Sequence, residues 1–185
     1  ADTRGGRCSS PLDELLRYPG LAAPLPDEAE TDFGDDVNGM SRMDDREDSV
    51  FYAQPRLVQH LDAHALATVN ALYRRLLPAR ADVLDLMASH DSHLQGCSLR
   101  SLQALGMNAA ELDANQAATA RTVQDLNRSQ KLPIDASSLD AVVCTASVEY
   151  LVQPSALMAE VLRVLRPGGV FVVTFSNRWF PTKAI

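Results

Sequence analysis

Apolar residues follow two rhythms along the chain. Short, nearly unbroken runs at Asp82–Leu86, Ser101–Leu105, Thr122–Leu126, Leu139–Cys144 and Val170–Phe175 have the pattern of strands, the most apolar of them covered on both faces. Between them the spacing becomes helical. Leu57, Leu61, Ala65, Val69, Leu72 and Leu76 make one stripe, which predicts a helix from Pro55 to the stop at Pro78. Asn108–Asn115 predicts a short helix with Asn108 as its N-cap. Pro154 suits a first helical turn, and Leu157, Val161, Val164 and Leu165 then share a face. Arg163 and Arg166 fall near that helix's C-terminal end, where positive charge suits the macrodipole, and Pro167-Gly168-Gly169 stops it.

Strand, helix and strand within 139–178 form a βαβ unit, whose parallel crossover is right-handed. The same alternation from 82 onward predicts an α/β domain over 49–185, with a parallel sheet and helices on both faces. Residues 1–48 differ. Pro11, Pro19, Pro24 and Pro26 interrupt them, and Asp27, Glu28, Glu30, Asp32, Asp35 and Asp36 load them with charge. Such a segment buries little apolar surface, which predicts a loosely ordered arm. Leu12, Leu15 and Leu16 would suit one short docking helix within it.

A formal net charge of -7, with no Lys/Arg cluster, argues against a nucleic-acid partner, because an acidic surface repels phosphates. Cys8, Cys97 and Cys144 have no paired spacing, which points to a reducing, cytoplasmic setting. Cys144, inside an apolar run, reads as a small core residue. No apolar run approaches bilayer length, so no membrane partner is expected. The chain opens on Ala1 rather than methionine, which reads as a trimmed or partial sequence.

In open parallel sheets, ligands bind outside the carboxyl ends of the strands. That rule gathers 87–93, 106–108, 125–127 and 145–150 into one crevice. Within reach of it, Glu149 is the acidic candidate for a catalytic base. Tyr52 and Tyr150 would orient a substrate, and Arg56 would hold a carboxylate or phosphate. Glu160 and Arg163 read as a surface pair. His90 is expected to line the site and His93 to anchor its loop. His60 and His64 are spaced to share a helical face, but no third ligand stands near them and no metal is expected. A nicotinamide dinucleotide site is disfavoured, because no G-x-G-x-x-G follows the first strand.

The stretch LPIDASSLDAVVCTASVEYL, followed by EVLRVLRPGGVFVV, resembles class I S-adenosylmethionine-dependent methyltransferases of the type 11 group, whose substrates are small molecules. FYAQPRLVQHLD, VLDLMASHDSHL, LGMNAAEL, VQDLN and SNRWFPTKAI resemble, more narrowly, an uncharacterised methyltransferase-like family of bacteria and plants. The resemblance covers about residues 50–185. It implies a Rossmann-like sheet, truncated here after the fifth strand, and S-adenosyl-L-methionine as cofactor.

It further implies that Asp85 stands near the cofactor's methionine amino group. Met87, Ala88, Ser89 and His90 would line the loop that is usually glycine-rich. Gly106, Met107 and Asn108 would flank the ribose, with Asn108 reaching toward a hydroxyl. Asp125 and Leu126 would receive the adenine, and Thr145 and Ser147 would underlie the methionine chain. The sequence departs from the family in two places: Met87, Ser89 and Asp91 replace glycines, and Gly106 replaces the acid that grips the ribose. A catalytically degenerate binding or scaffold module is therefore the alternative reading. Ending after the fifth strand would leave Val170–Phe175 as an apolar edge, which proteins rarely leave bare. Pairing with a second copy, as a homodimer, is one way to cover it.

Overall fold

The central strands are those with the most continuous apolar runs. In the computed structural model, which describes residues 42–176 and 179–185, Val83, Leu84 and Leu86 of β1 (Ala81–Leu86) are essentially inaccessible. So are Leu139 and Ala141–Cys144 of β4 (Leu139–Thr145). Burial on both faces is why neither strand alternates. With β2 (Leu99–Gly106), β3 (Ala120–Val123) and β5 (Leu165–Thr174) they form one sheet in the order β3-β2-β1-β4-β5, every pair parallel. The order reverses at β1, so the carboxyl ends of β1 and β4 diverge into a crevice.

β3 is shorter and earlier than the expected 122–126 run. Its residues are mostly exposed, and the apolar character of Leu126 belongs to the turn beyond it. Gln124 N–H still bonds the Gly106 carbonyl at 2.9 Å, and the chain then turns on Asp125, whose carbonyl accepts from Ser129 N–H at 3.0 Å.

Among the described residues the helices are α1 (Asp48–Phe51), α2 (Ala63–Leu76), α3 (Ala109–Ala114) and α4 (Pro154–Val164), with a 3-10 turn at Val148–Tyr150. α2 corrects the helix expected from Pro55. Asp62 caps it, its carboxylate accepting the Ala65 N–H at 2.9 Å, so the helix begins at Ala63. Residues 55–62 lie outside the helix, and the expected i, i+4 face shared by His60 and His64 does not form. The Asn108 cap is as expected: its side-chain oxygen accepts the Glu111 N–H at 3.1 Å. α4 buries Leu157, Val161 and Val164, joining a core that includes Leu84, Leu86, Leu105, Val142 and Cys144.

Glu160 and Arg163 do more than pair on the surface. Glu160 also accepts from Leu132 N–H at 2.8 Å, and Arg163 donates to the carbonyls of Ile134 and Leu132 at 2.9 and 3.1 Å. Together they clamp the loop that leads into β4. Arg166 lies past the helix end and joins a network at the amino ends of the strands. There Arg100 and Arg166 bridge Asp82 and Asp140 at 2.6–3.2 Å. Gly168 makes the turn into the second half of β5 with a φ of 81°. β5 is the last strand on its side of the sheet among the described residues, and Phe175 just beyond it is 78% exposed.

Most of the expected arm, residues 1–41, lies outside the described residues. The part within them, 42–48, packs on the domain. Asp48 is buried and bonded to Arg42 at 2.8 Å, to Asn127 at 2.8 Å and to Lys183 at 3.2 Å. Lys183 is itself fully buried, and its ammonium also donates to the carbonyls of Asp44 and Arg46 at 3.0 and 2.6 Å. The segments before α2 and after β5 are thus fastened to each other. No described helix is long and apolar enough to cross a membrane.

Candidate cofactor and acceptor site

The crevice widens into a cavity of about 260 Å³. Strand ends and the loops after them supply one side: Asp85, Met87–Asp91, Leu105–Asn108, Gln124–Asn127 and Thr145–Ser147. Residues before α2 (Tyr52, Arg56, Val58, Gln59, His60 and Leu61), together with Trp179 and Phe180, supply the other. Every cofactor-side and substrate-side residue named from the sequence lines this cavity. Glu149 does not.

The loop after β1 makes its turn without glycine. Met87 occupies the left-handed region with a φ of 61°, the conformation for which glycine is the usual choice. Ser89 and Asp91 have no positive φ, so only the first of the three replaced glycines was needed for backbone conformation. The loop then lies down on β2. Ala88 N–H bonds the Leu105 carbonyl at 2.7 Å, and the Ala88 carbonyl oxygen fills the place a β-carbon on Gly106 would need. Gly106 is glycine because the loop crosses it.

Asp85 sits beneath this loop, 3% exposed. Burial pushes its carboxyl up to about 7, with the nearby Asp91 charge acting in the same direction and a bond from Ser92 opposing both. Ser92 is held in turn by Asn115, whose amide donates to the Ser92 hydroxyl at 2.8 Å and to the Ser89 carbonyl at 3.0 Å. Asp125 closes a tight turn by accepting the Asn127 N–H at 2.9 Å. Asn127 knots three segments: it donates to Asp48 and to the Tyr150 carbonyl, and accepts from Val152 N–H, each within 2.9 Å.

Several side chains expected to reach a ligand are already engaged by the protein. The Asn108 side chain caps α3 and donates to the Tyr52 and Ala53 carbonyls at 2.9 and 3.2 Å. The Thr145 hydroxyl pairs with buried Tyr73 at 2.6 Å, and Ser147 donates back to the Thr145 carbonyl at 2.9 Å.

On the other side, the Arg56 guanidinium lies over the rings of Phe51, Tyr52 and Phe180, at 4.6, 5.6 and 5.3 Å from their centroids. One of its nitrogens donates to the Phe51 carbonyl at 3.0 Å. Phe180 also meets His60 edge-on at 5.7 Å and Tyr150 at 5.9 Å, and its N–H donates to the Tyr150 hydroxyl at 2.9 Å. Burial lowers the His60 pKa, with His90 and Arg56 adding to the effect and Glu111 opposing it. His93 is lowered by burial as well, against the pull of Asp91 at 3.3 Å. Glu149 keeps both carboxylate oxygens buried without a hydrogen-bond partner, and burial raises its pKa. Among the described residues, no group of three or more His, Cys, Asp or Glu side chains is arranged to hold a metal ion.

Glu111 was not singled out in the sequence, yet it lines the cavity from the first turn of α3. Its carboxylate accepts the Ser89 hydroxyl at 2.7 Å and the Arg56 N–H at 2.7 Å. The only signal was its spacing from Asn108, that of a capping box. Trp179, Phe180 and His60 were likewise legible only as members of resembling stretches or as surface residues, whereas Asn127 fell within the expected 125–127 crevice segment without a role of its own.

The residues fit an adenosyl cofactor on one direct observation: the strand-end loop packs so closely on Gly106 that backbone and small side chains, Ala88 and Ser89, bound the cavity there. Residues 93–173 match a family model described as a methyltransferase domain. An uncharacterised methyltransferase of Mycobacterium tuberculosis is 36% identical over 106 residues, which is 56% of this chain and 43% of that protein. A chloroplastic uncharacterised methyltransferase of Arabidopsis thaliana is 50% identical over 44 residues, 24% of this chain and 12% of the relative. The chain therefore spans less than half the length of these relatives. Among solved structures, a Pyrococcus horikoshii protein superposes with a TM-score of 0.51 at 19% identity, over 62% of this chain and 54% of that one. The 4+2 cyclase SpnF does so at 0.52 and 19%, over 65% and 50%. At such identities these two establish the fold. Over residues 93–173 the chain is thus similar to a methyltransferase domain, carried on a Rossmann-like α/β fold.

Proposed function

We propose that this domain binds S-adenosyl-L-methionine and transfers its methyl group to a small-molecule acceptor. The observation that carries the reading is the meeting of Asp85, the Met87–His90 loop, Gly106 and Asp125 around one cavity at the carboxyl ends of parallel strands. Asp125 and Leu126 would hold the adenine, and Asp85 the amino end of the methionine chain. When bound, the cofactor supplies an electrophilic methyl group, so the protein's work is alignment and exclusion of water. Phe180, Tyr150 and Tyr52 line the acceptor side with aromatic surface, and Arg56 lies over the Tyr52 and Phe180 rings. His60 is the cavity-lining group best suited to accept a proton from the acceptor, because its lowered pKa leaves it neutral at pH 7. Glu149, outside the cavity lining, is poorly placed for that role.

A second reading, a module that binds without turnover, is favoured by one feature: glycine is missing from the loop after β1 and an acid from the end of β2. Isothermal titration with S-adenosylhomocysteine tests the first reading. Saturable binding is expected, weakened about tenfold or more in Asp125→Ala, as loss of a charge-assisted hydrogen bond requires. No heat and no thermal shift at millimolar ligand would overturn it. Binding with no methyl transfer to any acceptor in a broad small-molecule panel would favour the second.

A further inference from the structure

We infer that Glu111 takes over the ribose-gripping role that Gly106 cannot fill, so that a carboxylate on α3 receives the cofactor's ribose hydroxyls. The inference rests on the cofactor reading above. A vicinal diol needs hydrogen-bond acceptors, and a carboxylate is the strongest that a side chain offers. At the end of β2 no side chain can stand, because the Ala88 carbonyl occupies the space above Gly106 and Leu112 crowds it from α3. A carboxylate serving that part of the cavity must therefore come from elsewhere.

The other carboxylates lining the cavity are held by the protein or, as Asp85 and Asp125, stand where the proposed reading assigns them to other parts of the cofactor. Asp48 is held by Arg42, Asn127 and Lys183. Asp91 accepts from the His93 N–H, Gln59 and Gln95 at 2.7–2.9 Å. Asp85 lies buried below the loop, and Asp125 closes its own turn past β3. Glu111 alone stands on the helix that follows β2 and is tied by one bond to each of two neighbouring segments. One oxygen accepts from Ser89, in the loop that crosses Gly106, and the other from Arg56 N–H. Each carboxylate oxygen has two lone pairs, so both retain one for an incoming O–H. The two bonds already made fix the carboxylate's direction before any ligand arrives, which is what a preorganised site requires.

Calorimetric titration of the wild-type chain and Glu111→Gln, each with S-adenosylhomocysteine and with its 2′,3′-dideoxy analogue, tests this without reference to turnover. The wild type is expected to favour the ligand with hydroxyls, and Glu111→Gln to bind it about tenfold or more weakly while holding the dideoxy analogue within about twofold. Equal weakening toward both ligands would mean that Glu111 only positions Ser89 and Arg56, and would overturn the inference. So would an unchanged affinity for the natural ligand. If the Gln variant does not fold, Glu111→Asp carries the same comparison, its shortened carboxylate narrowing the preference for hydroxyls. Wild-type binding of neither ligand would remove the cofactor reading itself, an outcome distinct from the other two.

Discussion

Gly106 and Ala88 share one space: the carbonyl oxygen of Ala88 lies where a β-carbon of Gly106 would be. The acid that the resemblance leads one to expect at the end of the second strand has no room here. Restoring it as Gly106→Asp is expected to lift the loop from β2 and to destabilise the domain by about 1–3 kcal/mol, the ordinary cost of overpacking. Urea denaturation of Gly106→Asp and Gly106→Ala checks this. A wild-type midpoint for either variant would contradict the packing described.

Met87 inverts the usual ranking of glycine and alanine. Its left-handed backbone strains any residue with a β-carbon, by about 1–2 kcal/mol for a left-handed turn, while its side chain packs partly against the core. Met87→Gly and Met87→Ala both lose that packing, but only glycine loses the strain. After allowance for glycine's freer unfolded chain, the glycine variant is expected to be the more stable by about 0.5–1 kcal/mol. Thermal unfolding of the pair gives the sign directly.

Asp85 makes the fold sensitive to pH. Its carboxyl titrates near 7 in the fold against an ordinary 3.8, so between those values the folded chain holds a proton that the unfolded chain has released. Stability from this group is present below about pH 4, falls as pH rises toward 7, and levels off above. Asp85→Asn removes the dependence. The variant is expected to gain on the wild type between pH 5 and pH 8, read as the difference between their urea midpoints. A tenfold difference in proton affinity between folded and unfolded chain is worth about 1.4 kcal/mol, which makes even part of the effect measurable.

Much of the fold was legible because the central strands are unbroken apolar runs and α4 opens on proline. β3 was displaced because its residues, mostly exposed at the sheet's margin, carry no such run, whereas Leu126 beyond it imitates one. The start of α2 was missed because Leu57 and Leu61 continue the apolar stripe, although Leu57 is 56% exposed and the Asp62 cap decides the boundary. In the cavity lining, residues adjacent to strand ends were legible from their position and from the resemblance. Glu111 was not, because its role depends on Ser89 and Arg56, distant in sequence and brought together only by the packing of the loop. The buried environment of Lys183 has the same origin.

Lys183 is expected to be worth more than a surface lysine. Lys183→Met leaves the Asp44 and Arg46 carbonyls without their donor and removes one cation from buried Asp48. Breaking a buried pair in this way costs about 3 kcal/mol or more. A midpoint shift by urea denaturation as small as that of the exposed-pair variant Arg128→Ala would refute the arrangement.

That ammonium also bears on the shape of the cavity's second wall. The segment leading to Tyr52 and Arg56 and the segment holding Phe180 are stitched by one buried cation and by Asp44 N–H donating to the Thr182 carbonyl at 2.8 Å. Arg56 adds a third stitch by lying over the Phe180 ring. The wall of the cavity opposite the strand ends is therefore a joint product of two remote stretches of chain, and substitutions in either one alter the opening that both frame.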